Sequence, residues 1–180
     1  VTIDLSDNHI EIHRNQSEPW KVTLLETGLH SQTGGRILRA KDYLGKEDFM
    51  LTYGDGVSDV NISELIASHK LSGNLATLTA VQPPARFGAL NLTGNKVISF
   101  QEKPDGEGAW VNGGFLLLKP EIFDFLKGDD SSFEIDALPK IAELGKLGVY
   151  KHSGFWQPVD TIRDLQRLEE AIRRGVLPWA

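Results

Sequence analysis

Cysteine is absent from the 180 residues, which removes disulfides, thiol catalysis and cysteine-based metal sites together. Basic residues are in deficit, with 19 Lys and Arg against 25 Asp and Glu, for a formal charge of −6. No basic stripe is present to neutralise a nucleic-acid backbone, so general nucleic-acid binding is excluded. A small phosphorylated ligand is not excluded, because it needs only a few placed cations or a metal. Long apolar runs are missing too: the longest are short, Phe115–Leu118 among them, and cannot span a bilayer. The opening VTIDLSDNHIEIH has no basic segment leading into an apolar one, so no secretory signal is read and a cytoplasmic protein is expected. What remains is ordinary globular composition, 40% hydrophobic and 24% charged, in a chain long enough to bury a real core.

The order of elements carries more than the composition. Val1–Leu5 and His9–His13 alternate around Asp7-Asn8, which predicts an antiparallel hairpin, and Val22–Leu25 reads as a further β-branched strand. Between Gly35 and Leu44 the apolar residues have helical spacing. Phe49–Tyr53 predicts a buried strand stopped by Gly54-Asp55-Gly56. A helix from about Asn61 to Gly73-Asn74 follows, then a strand at Ala76–Val81. Ala89–Phe100 reads as a hairpin turning at Thr93-Gly94-Asn95, and Phe115–Leu118 as a buried strand. Helices are expected at Ile122–Leu126, Glu134–Leu144 and Thr161–Arg174, with a strand at Val149–Lys151. Such alternation predicts an α/β domain with a largely parallel sheet, in which ligands sit beyond the carboxyl ends of the strands.

Several segments at those ends combine glycine with polar or charged side chains, and each has a plain structural alternative. Gly54-Asp55-Gly56 offers a carboxylate to a hard cation such as Mg²⁺, or is simply a turn. Ser31-Gln32-Thr33-Gly34-Gly35-Arg36 precedes a helix whose N-terminal amides attract anions. Its glycines let a ligand approach and Arg36 adds a phosphate donor, or Thr33 only caps the helix. In Gln101-Glu102-Lys103-Pro104, a hydroxyl acceptor stands beside a phosphate-binding cation, or two charges lie on a solvated strand end. Asn112 with Gly113-Gly114 reads sugar hydroxyls or makes a turn, and Arg86-Phe87-Gly88 forms a pocket rim or a strand start. Asp160 completes a metal site begun by Asp55, or else Asp160 or Thr161 simply caps the last helix.

Taken in order, SQTGGR, TYGDGVSD, RFGAL, SFQEKP, VNGGFLLL and GFWQPVDT resemble the sugar-1-phosphate nucleotidylyltransferases over essentially the whole chain. The segment EPWKVTLLETG, from Glu18 to Gly28, is similar to the branch of that family acting on CTP and glucose 1-phosphate. The resemblance implies an αβα sandwich with a mixed, largely parallel sheet, Mg²⁺ dependence and a homo-oligomer. It implies that a phosphate oxygen of glucose 1-phosphate attacks the α-phosphorus of CTP, giving CDP-glucose and pyrophosphate. It assigns Asp55 and Asp160 to the metal, Ser31, Thr33, Gly34, Gly35, Arg36 and Gly54 to the nucleotide, and Gly88, Glu102, Lys103 and Asn112 to the sugar phosphate. Asp55, Lys103 and Asp160 are the catalytic set.

The family pattern opens with a GGxGTR loop and a PKP segment, and neither occurs in this chain. Residues 1–180 are therefore expected to be the C-terminal part of a single, N-terminally incomplete domain, with little or no transferase activity alone. Two other readings stay open: a metal-dependent glycosyltransferase, and a non-catalytic binding or assembly module of the same fold.

Overall fold

In the computed structural model, which describes residues 2–13, 19–83, 89–93, 96–101, 109–176 and 179, the N-terminal segment forms the expected hairpin. Strands β1 (Thr2–Asp4) and β2 (His9–Glu11) pair antiparallel, and Asn8 takes the positive φ of the turn. Helix α1 spans Thr33–Leu44, and β3 spans Phe49–Thr52. A short strand, β4 (Gly56–Ser58), precedes α2 (Ile62–Ser72). Asn61 caps α2 by accepting from the Glu64 amide, and Gly73 ends it in the left-handed conformation. There follow β5 (Ala76–Val81), β6 (Ala89–Thr93), β7 (Lys96–Gln101) and β8 (Val111–Leu118). The C-terminal third holds a 3-10 turn at Pro120–Phe125, a π turn at Phe133–Ala137, α3 (Leu138–Glu143), β9 (Leu147–Lys151), β10 (Trp156–Pro158) and α4 (Ile162–Arg173).

The central sheet runs β3-β8-β5-β9. It is mixed: β5 and β9 are parallel, while β8 lies antiparallel to both its neighbours. Three strands thus share one direction, and the fourth reverses between them.

Strand pleating then sorts the core into two faces. Ala76 on β5 and Leu116 and Leu118 on β8 join Ile37 of α1, Phe123, Phe133 and Ile141 in one buried cluster. On the opposite face α2 buries Leu65 and His69, and the His69 ring nitrogen Nδ1 lies 2.8 Å from Thr77 Oγ1. Helices cover both faces, as an αβα sandwich requires. No helix among the described residues is long and apolar enough to cross a membrane.

Four expectations are revised. Val22–Leu25 forms no strand: Leu24 is 91% exposed, and among the described residues no ladder receives this segment. The helix expected at Ile122–Leu126 is a 3-10 turn opened by Pro120. The one expected at Glu134–Leu144 starts as a π turn, in which the Leu138 amide donates to Phe133 O five residues back; the next residue, Pro139, has no amide to donate. Strand β8 begins at Val111, so Asn112 and Gly113-Gly114 lie within a strand and the turn alternative for them fails. The turn of the β6–β7 hairpin at 94–95 lies outside the described residues.

Candidate active site

Two short strands that periodicity did not reveal join the segments that carry Asp55 and Asp160. Strands β4 and β10 pair antiparallel, with Gly56 opposite Pro158, and the Val159 amide donates to Asp55 O at 2.7 Å. That ladder joins the backbone at Asp55, three residues past β3, to Val159, one residue before Asp160. The ribbon is tied to the main sheet by the Trp156 indole, which donates to Gly113 O at 2.8 Å, and is closed on itself by Ser58 Oγ donating to Phe155 O. Behind it, His152 Nε2 lies 2.8 Å from Asp59 Oδ1.

The cap question is settled in favour of Thr161. It forms a reciprocal capping box with Asp164, so Asp160 is not needed as the cap of α4. Asp55 and Asp160 are both exposed, and Gly54 beside Asp55 has open space where a side chain would sit. Among the described residues no group of three or more His, Asp or Glu surrounds a metal position. Two hard oxygen donors with room for phosphates and water is a donor set that fits Mg²⁺.

Near Asp55 lies a half-buried hydrogen-bonded cluster centred on Glu134. Its carboxylate accepts from the Tyr53 hydroxyl at 2.6 Å, the Thr33 hydroxyl at 2.5 Å and Ser132 Oγ at 3.2 Å. Asn112 Nδ2 donates to the Tyr53 oxygen at 3.2 Å, and Asn112 Oδ1 accepts from the Gly114 amide at 3.0 Å. Gly114 is required here: its φ is +82°, and a Cβ would meet the Tyr53 ring at 3.0 Å.

Burial and the Glu134 carboxylate push the Tyr53 phenol far above its ordinary range, with the nearby Asp55 charge acting the same way against the Asn112 bond. Burial works against ionisation of Glu134, but the bonds from Thr33, Tyr53 and Ser132 outweigh it and hold the carboxyl below its usual value. The phenol stays a donor and Glu134 stays charged.

The segment Ser31–Arg36 does open a helix, but most of it is engaged within the protein. Gly34 and Gly35 are buried, and a Cβ on Gly35 would meet Asp129 O at 2.6 Å and Asp129 Cα at 2.7 Å. At these glycines the space a side chain would take is filled by the loop at 129–131, which favours the packing alternative for them. The Arg36 guanidinium donates to Thr27 Oγ1 at 2.7 Å and to Leu29 O at 3.4 Å, which holds the 27–29 turn. Ser31 is buried beside Asp129, whose carboxyl is held below its usual range first by Arg39 and also by Ser31. Only Thr33 reaches toward the carboxylate cluster. Gly88, Glu102 and Lys103 lie outside the described residues.

Tyr53 and Glu134 were missed as site residues by sequence reasoning. Tyr53 had a signal, since it directly precedes Gly54-Asp55 at a strand end. Glu134 had none, because it meets Thr33 from a distant helical turn that no spacing rule connects to it.

A mixed sheet with helices on both faces is the architecture of the nucleotide-diphospho-sugar transferase fold. Among solved structures, the chain is similar to a putative glucose-1-phosphate thymidylyltransferase from Bacillus anthracis, with TM-score 0.61 and 21% identity, covering 83% of this chain and 64% of that one. A UDP-glucose pyrophosphorylase complexed with UDP-glucose also has TM-score 0.61, at 16% identity, covering 84% of this chain and 65% of that one. These likenesses concern the fold.

The nucleotidyl transferase sequence profile matches residues 5–175, and the chain belongs to that family. It is 46% identical over 180 residues to glucose-1-phosphate cytidylyltransferase of Salmonella typhimurium, covering 99% of this chain and 70% of that protein. It is 40% identical, with the same coverage, to a probable glucose-1-phosphate cytidylyltransferase of Bacillus subtilis.

Proposed function

We propose that the chain carries the metal and sugar-phosphate part of a nucleotidyl transfer site that takes CTP and glucose 1-phosphate. The observation that supports this reading is the β4–β10 ladder, which joins the backbone at Asp55 to that at Val159, one residue before Asp160, while Asn112 bonds to Tyr53 two residues before Asp55. The 46% identity to a glucose-1-phosphate cytidylyltransferase supports the choice of nucleotide and sugar.

The reaction forms a bond from a phosphate oxygen of the sugar phosphate to the α-phosphorus of CTP and breaks the bond from that phosphorus to pyrophosphate. The attacking phosphate is already anionic, since its second pKa is about 6, so no side chain need remove a proton. The difficulty is the approach of two anions, together with their alignment. Asp55 and Asp160 would hold Mg²⁺, which supplies neutralisation of phosphate charge when bound. Asn112 orients the sugar, Thr33 stands on the nucleotide side, and Lys103 positions the attacking phosphate. These few placed groups let a chain of charge −6 accept acidic ligands.

Calorimetric titration of the chain tests the assignment. With Mg²⁺ it is expected to bind glucose 1-phosphate, and CTP more tightly than UTP or GTP; chelation and Asp160→Ala should each weaken CTP binding roughly tenfold or more. Failure to bind either ligand, or CTP binding indifferent to both Mg²⁺ and Asp160, would overturn it.

A further inference from the structure

Glu134 lies outside every motif that carried the functional reading, yet it touches both sides of the site. The Thr33 hydroxyl also accepts from the Phe133 amide at 2.9 Å, so the residues 132–134 grip the first turn of α1 through both a donor and an acceptor. On the other side, the Gly114 amide occupies Asn112 Oδ1, which fixes the orientation of that amide and points its N–H groups at Tyr53.

The proton order follows without ambiguity. Asn112 donates to the Tyr53 oxygen, Tyr53 donates to Glu134, and Thr33 donates to the same carboxylate from the opposite direction. Every hydroxyl proton in the chain is aimed by one acceptor-only group, and an ionised carboxylate is the side chain that accepts from several donors while donating nothing.

We propose that Glu134 is a positioning residue that fixes Thr33 on the nucleotide side and, through Tyr53, Asn112 on the sugar-phosphate side, so that both ligands are placed by a single carboxylate. This inference rests on the function proposed above. It predicts a pattern that loss of stability alone does not produce. Glu134→Gln keeps the size of the side chain but adds a donor where only acceptors fit, so it disturbs both branches. Tyr53→Phe cuts the branch to Asn112 and leaves the Thr33 contact. Thr33→Val does the reverse.

The test is calorimetry with CTP plus Mg²⁺ and, separately, with glucose 1-phosphate, on wild type and the three variants, with thermal melting of each. Expected are losses of roughly ten- to hundredfold for both ligands in Glu134→Gln, for glucose 1-phosphate alone in Tyr53→Phe, and for CTP alone in Thr33→Val. Affinities within twofold of wild type in Glu134→Gln, or equal losses for both ligands in the two branch variants, would overturn the proposal. Should Glu134→Gln fail to fold, the selectivity of the two branch variants decides it alone. A wild-type chain that binds neither ligand instead refutes the functional reading, a result distinct from either.

Discussion

Replacing Gly35 with alanine distinguishes a glycine kept open for a ligand from one required by packing. The new Cβ would lie 2.6 Å from Asp129 O and 2.7 Å from Asp129 Cα, both backbone atoms that cannot rotate away. Moving that loop strains two hydrogen bonds, Gln32 N to Asp129 O at 2.8 Å and Gly35 N to Ser131 O at 3.2 Å. Each such bond contributes about 1 kcal/mol, and overpacking of this kind costs about 1–3 kcal/mol, against a gain of about 1 kcal/mol for alanine over glycine in a helix. The expected net loss is about 2–3 kcal/mol, or roughly 5–10 °C in melting temperature for a chain of this size. Urea denaturation followed by circular dichroism measures it. Gly54→Ala is the control: nothing lies within 4 Å of its added Cβ, so its stability should stay within about 0.5 kcal/mol of wild type. If Gly35→Ala proves as stable as Gly54→Ala, the packing argument is wrong and the ligand-approach reading of the glycine pair returns.

Burial lowers the pKa of His69 from its ordinary 6.5, despite Asp48 Oδ2 at 3.6 Å, so the folded state binds this proton less readily than the unfolded state. Stability from this group is complete above pH about 6.5 and declines as pH falls through the window down to the folded value. Urea midpoints should therefore drop between pH 7.5 and 5.5, and His69→Gln should flatten the drop; a pH-independent wild-type midpoint contradicts this. Phe133, fully buried in the central cluster, should cost about 3–5 kcal/mol when replaced by alanine, and a loss below about 1 kcal/mol would remove it from the core.

Local signals made much of the fold legible. Asn61 and Gly73 marked the two ends of α2, helical spacing marked α1, and the apolar runs at Phe49–Thr52 and Ala76–Val81 are strands of the central sheet. Elements defined by a distant partner were not legible. Gly56–Ser58 is too short to show alternation and is a strand only because Trp156–Pro158 pairs with it. Val22–Leu25 shows the converse, since β-branched composition without a partner produces no strand there. The assignment of Asp55 and Asp160 to one metal rests on the ordered motifs and not on spacing, because the β4–β10 ladder that joins their segments leaves no trace in periodicity.

The same distinction explains how the segment Ser31–Arg36 was read. Two glycines before a helix are equally suited to a ligand and to a close backbone neighbour, and here residues 129–131 supply the neighbour. That choice has a consequence at Thr33. Once Gly34 and Gly35 let the loop pack directly on the first turn of α1, the chain continues into the π turn, where Ser132, Phe133 and Glu134 reach the Thr33 hydroxyl. A Cβ on either glycine would push the loop away and separate Thr33 from Glu134. The glycines thus act on the Glu134 cluster at one remove: they touch the loop, the loop presents the carboxylate, and the carboxylate accepts from Thr33, Tyr53 and Ser132.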